Sequence, residues 1–292
     1  MKLENNIHNC ALIIEGGGMR ASYTSGFVNT LIENQIFFNY VAGVSAGASC
    51  SVNYLSRDTV RTKKSFVELV EDKNFGGWGS FLKGEGFFRS EYIYEKIPVP
   101  QGAMPYDFKA FSDNPATLKI GAFERDTGNI KYFSRNDMAS LGDLMKIVRA
   151  SSSLPFFMPV TEFKGIHYYD GGLGGGIALD IAQRDGFDKF FVLLSRPLEY
   201  YKQPVKNPGL LKAYFRKTPA VYEAMLGRYA RYNQTKAALL ELEKKGQAYL
   251  VFPEQMLVSS RETDLMKLND NYRLGYDQGK REVERWKSFL GL

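Results

Sequence analysis

Ser45 lies in Gly43-Val44-Ser45-Ala46-Gly47, the G-x-S-x-G spacing of a nucleophile held on a sharp strand-to-helix turn. Such a turn crowds the serine backbone, so its neighbours must be small. The following helix N-terminus favours negative charge that develops beside the hydroxyl. The same five residues also suit an ordinary turn in which Ser45 only caps a helix. The decision rests on partners elsewhere in the chain. Glu15-Gly16-Gly17-Gly18 follows a short apolar run. Consecutive glycine N–H groups can converge on one oxygen because no Cβ blocks the approach, which makes Gly17 and Gly18 candidate oxyanion donors. Gly16, Gly18 and Ala21 also fit a dinucleotide fingerprint. That fingerprint needs an acidic residue at the end of the next strand, where this chain has Gly43-Val44-Ser45.

A serine nucleophile needs a base. The chain has two histidines. His8 belongs to the polar N-terminal stretch, and His167 alternates to the strand face opposite Asp170. Asp170 itself ends an apolar stretch and precedes Gly171-Gly172, at the strand end where α/β active sites gather. It is the simpler candidate base, although an aspartate before glycine is also common turn chemistry.

Glu15-Gly16-Gly17-Gly18-Met19-Arg20, Gly43-Val44-Ser45-Ala46-Gly47 and Asp170-Gly171-Gly172 occur in this order. The set resembles the patatin-like phospholipase family, bacterial type, over about residues 8–200. The small-residue block Arg149-Ala150-Ser151-Ser152-Ser153-Leu154-Pro155 also looks like that family's segment before its last catalytic strand. The resemblance implies a three-layer α/β/α fold with a mainly parallel sheet. It implies an acyl-ester hydrolase with a Ser–Asp dyad and no histidine, metal or cofactor in its chemistry. Carried over by position, Ser45 is the nucleophile, Asp170 the proton acceptor, and Gly17 and Gly18 the oxyanion hole. Gly16, Gly43, Gly47, Gly171 and Gly172 shape the turns, and Arg20 fixes the glycine loop. Ala21 stands where the family's loop usually ends in glycine.

The elements that must position these residues follow from periodicity. Cys10–Ile14 and Phe38–Val44 read as buried strands, each followed by a loop and a helix, over 21–36 and 46–55. Two such units in a row imply a parallel sheet covered by helices. Residues 57–72 read as a charged helix. The stretch 74–115 is rich in Gly, Pro and aromatics, and reads as a lid, a binding wall or a segment packed across the core. As a wall, it would bring Trp78, Phe81 and Phe87 against a long acyl chain. Residues 116–123 and 130–133 form a hairpin around Asp126-Thr127-Gly128-Asn129, and 141–151 a helix. Residues 166–169, 190–194 and 248–252 read as further strands. Helical patterns cover 219–245, with a break near Tyr232-Asn233, and 277–290. The organisation expected is a catalytic core over 8–200 and a mostly helical extension over 201–292 that continues the same sheet.

The chain of 292 residues carries a formal charge of +6. Residues 201–292 hold 17 Lys and Arg against 10 Asp and Glu, or +7, which leaves residues 1–200 at −1. A basic last third suits a solvated helical surface or peripheral contact with an anionic membrane. No nucleic-acid motif accompanies it. No apolar run reaches the roughly 18 residues of a membrane span. Met1 to Asn9 is polar without a signal-type apolar region, so the expected location is the cytoplasm, at most peripheral at the inner face of the membrane. Cys10 and Cys50 are the only cysteines and lie in apolar segments, as small core residues do. The expected activity is hydrolysis of phospholipid or lysophospholipid acyl esters. The alternatives are a nucleotide-binding α/β protein and an inactive lipid-binding scaffold of the same fold.

Overall fold

A computed structural model describes residues 3–292; Met1 and Lys2 of the polar N-terminal stretch lie outside the described residues. The chain begins with β1 (Ala11–Ile14), α1 (Ala21–Glu33), β2 (Tyr40–Val44), α2 (Ala46–Leu55) and α3 (Thr59–Phe66). Short helices α4 (Trp78–Leu82) and α5 (Phe108–Asp113) bracket an irregular stretch. Then come β3 (Thr117–Glu124), β4 (Ile130–Phe133), α6 (Leu141–Ser152), β5 (Thr161–Phe163), β6 (Ile166–Asp170), α7 (Leu179–Arg184) and β7 (Phe190–Leu193). The last third holds α8 (Pro208–Tyr214), α9 (Pro219–Lys244), β8 (Ala248–Val251) and α10 (Leu265–Leu290).

Strands β3, β2, β1, β7 and β8 run parallel in that order, and β8 pairs directly with β7 in the same sheet. Strands β1, β2, β7 and β8 are continuous apolar runs because both faces are covered. Leu12, Ile14, Val41, Ile120, Phe191 and Leu193 face one helical layer, where Phe27 of α1, Ile147 of α6 and Trp286 of α10 meet them. Ala11, Ile13, Ala42, Val44, Phe190 and Val192 face the other, with Ile181 of α7 and Tyr232 and Leu239 of α9. The result is the three-layer α/β/α arrangement the sequence implies, with antiparallel ladders confined to β3–β4, β3–β6 and β5–β6.

The junction of β2 and β6 on β3 decides where the chemistry sits. Strand β2 lies along β3 from Thr117 to Gly121, ending with Val44 opposite Gly121. Strand β6 pairs with Ala122 to Glu124, with Asp170 opposite Ala122. Strand β4 overlaps both stretches and takes the other edge of β3. Strands β2 and β6 therefore share one edge and meet end to end. The carboxyl end of β2 delivers Ser45, and the carboxyl end of the oppositely directed β6 delivers Asp170. At the meeting point a Cβ on Gly171 would lie 2.2 Å from the Gly121 carbonyl oxygen, so the close approach requires glycine.

Several features differ from the sequence-based expectation, among them α10, which begins at Leu265 rather than 277, and α8, which periodicity did not mark. Helix α9 is unbroken through Tyr232-Asn233. The Asn233 side chain, which reads as a helix breaker, instead takes the Lys202 N–H at 2.9 Å and gives to the Lys202 carbonyl at 3.0 Å. The amide is spent on tertiary structure rather than on competing with its own helix. Residues 57–72 divide into α3 and a short 3-10 turn over Glu68–Glu71. Strand β5, at three residues, is too short to leave a periodic signal.

Candidate active site

Ser45 adopts φ +57° and ψ −128°, a left-handed conformation that a non-glycine residue holds only where its surroundings impose it. The surroundings are visible. A Cβ on Gly47 would lie 2.2 Å from the Ile14 carbonyl oxygen, so α2 starts hard against β1. The Ser45 N–H donates to Ser151 Oγ at 2.8 Å, and Ser151 Oγ–H donates to the Gly121 carbonyl at 2.6 Å. The Asp170 N–H donates to the Ser153 carbonyl at 2.9 Å. The end of α6 thus pins both strand ends to β3. The sequence carried this only as a small-residue block; Ser151 and Ser153 had no individual signal in it.

Across the junction Ser45 Oγ–H donates to Asp170 Oδ2 at 2.5 Å. The other carboxylate oxygen, Oδ1, accepts the Gly172 N–H at 2.6 Å. Both side chains are nearly buried, Ser45 at 7% exposure and Asp170 at 2%. Burial pushes the Asp170 carboxyl above the usual carboxylate range, against the lowering effects of the Ser45 hydrogen bond and the Arg228 charge. A base of raised proton affinity beside a hydroxyl is the arrangement that nucleophile activation needs.

Gly16, Gly17, Gly18 and Arg20 line the same cavity as Ser45, Asp170 and Gly172, a hollow of about 390 Å³. The N–H groups of Gly17 and Gly18 take no hydrogen-bond acceptor among the described residues. Gly43 and Gly171 sit behind the reacting atoms, in β2 and in the turn after β6. Neither histidine lines the cavity. His8 is exposed, and His167 Nε2 lies 4.0 Å from Glu162 on the strand face away from Asp170. Both cysteines are buried and unpaired, with the Cys10 thiol pushed up to about 12 by burial. Among the described residues, no cluster of three His, Cys, Asp or Glu side chains could hold a metal ion, and no helix is long and apolar enough to cross a membrane.

Several cavity residues had no motif to announce them. Glu15 Oε2 accepts the Ser195 N–H at 2.6 Å and so ties the end of β1 to the end of β7. Arg228, from α9, donates through Nε to the Gly172 carbonyl at 2.7 Å and backs the turn that carries Asp170. Lys202 and Arg228 belong to the basic last third, yet both line the cavity. In sequence they resembled a solvated surface because an isolated cation carries no mark of what it meets.

A second, apolar crevice opens on the other side of Ser45. Met19, Ala46, Phe66, Leu69, Phe75, Phe88, Ile93, Tyr94 and Met158 line it. Part of the 74–115 stretch is therefore wall, but through different side chains from those composition suggested. Trp78 packs against Phe81 and Phe87 outside the crevice and is 64% exposed.

A mixed sheet between two helical layers, with Ser45 on a strand-to-helix turn and buried Asp170 at the carboxyl end of the strand that meets it, defines the class as an α/β protein. The chain belongs to the patatin-like phospholipase family, whose sequence profile matches residues 12–182. A domain of unknown function (DUF6363) matches residues 218–291. An uncharacterized protein of Escherichia coli (strain K12), YjjU, is 25% identical over 197 residues, 66% of this chain and 54% of that protein. The chain thus spans about half the length of that relative. The crystal structure of VipD from Legionella pneumophila superposes with a TM-score of 0.52 at 13% identity, covering 95% of this chain and 67% of that one. That likeness is one of fold.

Proposed function

We propose that the protein hydrolyses fatty-acyl esters of phospholipids or lysophospholipids, with Ser45 as nucleophile and Asp170 as its base. The observation that carries the proposal is the 2.5 Å hydrogen bond from Ser45 Oγ to Asp170 Oδ2. Ser45 Oγ attacks the ester carbonyl carbon as its proton passes to Asp170. The carbonyl oxygen gains negative charge and is held by the Gly17 and Gly18 N–H groups. The intermediate collapses, the alkoxide leaving group takes the proton from Asp170, and an acyl-Ser45 ester remains. Asp170 then accepts a proton from water, which attacks that ester; as the fatty acid leaves, Asp170 returns the proton to Ser45 Oγ and the free hydroxyl is restored. The acyl chain lies in the crevice between Leu69, Phe88 and Tyr94. Residues 8–200 serve as the catalytic core, and 201–292 as an extension that adds β8 and the cavity residues Lys202 and Arg228.

A fluorophosphonate probe tests the reading, since it reacts with an activated serine. Labelling of the wild type and not of Ser45→Ala is expected. An unlabelled wild type that binds a dinucleotide or lipid without turnover would turn the assignment over to a nucleotide-binding protein or a scaffold.

The same reading puts the protein in the cytoplasm, meeting anionic membrane at the cavity mouth. Leu210 and Tyr214 of α8 are 74% and 64% exposed, near Lys206, Lys212, Arg216 and Lys217 in sequence. The Tyr214 ring packs at a tilt against Phe156, a cavity residue, with 4.5 Å between centroids. Co-flotation with anionic but not zwitterionic vesicles, lost in Leu210→Ser, is expected. Flotation indifferent to lipid charge, or recovery of the protein outside the cytoplasm on fractionation, would remove this part.

A further inference from the structure

The cavity beside Ser45 is unusual in its charge. Arg20, Arg196, Lys202, Arg228 and Arg261 all line it, against two carboxylates, Glu15 and Asp170. With both carboxylates ionised the four arginines alone leave two positive charges in excess, and a protonated Lys202 makes a third. Those carboxylates are already engaged, Asp170 by the Ser45 hydroxyl and the Gly172 N–H, Glu15 by the Ser195 N–H. None of the five cations has a carboxylate within 4.0 Å among the described residues, although eleven such pairs occur elsewhere on the molecule.

Their contacts are with neutral groups instead. The Lys202 ammonium sits 4.5 Å over the Tyr232 ring, the Arg196 guanidinium 4.2 Å over Tyr200, and Arg261 4.4 Å over Phe157. Such contacts hold a cation in place and leave its N–H groups available to an anion. Arg20 Nε is buried with no hydrogen-bond partner. Burial, then the neighbouring Arg228, holds the Lys202 ammonium well below the usual lysine range, while Glu15 opposes. A surface cluster would relax by spreading into water. This one is fixed from behind. Asn233 clamps both backbone groups of Lys202, and the buried Lys236 donates to the Tyr200 carbonyl at 2.8 Å. The segment that bears Tyr200 and Lys202 is thereby strapped to α9. A preorganised set of like charges is electrostatically costly until an anion arrives.

We infer that this cavity is a binding subsite for a phosphate-bearing anion, and that in the substrate lipid it takes the phosphate of an anionic head group. The orientation relative to the ester rests on the hydrolase reading above; the anion site itself does not. Ser45 stands between the basic cavity and the apolar crevice. A phospholipid has the same order of parts, with an acyl chain, an ester and a phosphate in sequence. The subsite selects against two classes. A neutral glyceride offers nothing to the cations. A choline head group would bring a further positive charge among them.

The test uses the full chain and separates the two claims. Ser45→Ala protein is titrated calorimetrically with inorganic phosphate and with lysophosphatidate below its micellar concentration, with and without Arg196→Gln and Lys202→Gln. Both ligands are expected to bind, to compete, and to weaken at least tenfold in the double variant. On the catalytically intact chain, the ratio of kcat/KM for lysophosphatidate to that for p-nitrophenyl butyrate is expected to fall at least tenfold with the same two substitutions. Neither side chain has an ionic partner to lose, so the thermal midpoint should hold or rise. Should the double variant fail to fold, competitive inhibition of wild-type lysophosphatidate hydrolysis by inorganic phosphate reads the same site. No binding of either ligand at millimolar concentration, or an unchanged ratio, overturns the proposal. Phosphate binding that depends on Lys202 but does not compete with lysophosphatidate overturns the head-group assignment and gives the site to a free phosphate compound. Phosphate binding without fluorophosphonate labelling of Ser45 keeps the anion site and removes the hydrolase reading.

Discussion

The two walls that flank Ser45 are built on different physics. The apolar wall comes from the α3 region and the irregular aromatic stretch, and its residues are ordinary core packing. Phe75, Phe88, Leu69 and Met19 belong to one buried cluster that also takes in Val258 and Leu268. Its shape follows from close packing, and each side chain is held by its neighbours. The basic wall has no such internal reason to exist. Arg20 and Arg196 come from the segments that follow β1 and β7, Arg228 from α9 and Arg261 from the loop before α10. These charges repel one another and are assembled from four separate stretches of chain, with Arg196 and Lys202 sharing the connector between β7 and α8. A wall that folding alone would produce needs no function to explain it. A wall that folding alone would disperse does.

The largest effect belongs to the junction, because both walls serve it. Asp170→Asn keeps the shape but removes the proton acceptor, and should lower kcat by about a thousandfold or more for anionic phospholipid and neutral ester alike. Asp170 also sets the acid limb of the wild-type pH–rate profile. Its folded-state pKa is raised by burial, and the carboxylate is the active form. Activity should therefore be lost as pH falls through a value above the usual carboxylate range. A profile flat down into that usual range, or a variant that retains turnover, would place the base elsewhere.

Next comes a change to the apolar wall alone. Leu69 touches the crevice beside Ser45 and the smaller hollow behind it, next to Met104 and Met145. Leu69→Trp should fill the way between them. Excluding two or three methylenes at about 0.8 kcal/mol each costs roughly 2 kcal/mol, about thirtyfold in kcat/KM for a long-chain ester. A butyrate ester should be affected severalfold less. Equal losses for both chain lengths would show that the acyl chain runs elsewhere.

What could be seen in the sequence divides along the same lines. The strand–loop–helix units, the elbow and the glycine loop are local. A few consecutive residues encode each, so the edges of α2 and the ends of β1, β2 and β6 could be read almost to the residue. Asp170 was legible because a glycine pair marks its turn. The meeting of β2 and β6 on one edge of β3 was not, because register between distant strands leaves no mark in either. Ser151 and Ser153 were visible only as small residues. The cation wall was hidden most deeply. Charge counting located the basic third but could not show that part of it turns inward, and Asn233, which anchors Lys202, read as a break in a helix.

The smallest effect tests whether the junction is independent of both walls. Ser151 is fully buried and touches neither crevice nor cavity. Its hydroxyl links the Ser45 N–H to the Gly121 carbonyl, so it holds the elbow to β3 at the point where β6 ends. Ser151→Ala leaves a buried donor and a buried acceptor without that link, at a cost of about 1–3 kcal/mol in denaturant unfolding. The elbow remains, since Gly47 and the start of α2 still enforce it, but Ser45 gains freedom relative to Asp170. A small loss of alignment at a reacting pair is felt in turnover and not in binding. The expected result is a fall of about tenfold in kcat with KM nearly unchanged, equal for lysophosphatidate, a long-chain neutral ester and a short-chain one. Equality across the three is the informative part. If Ser151→Ala changed head-group or chain-length preference, the strand junction would be shaping the walls as well as aligning the dyad, and the division drawn between them would fail.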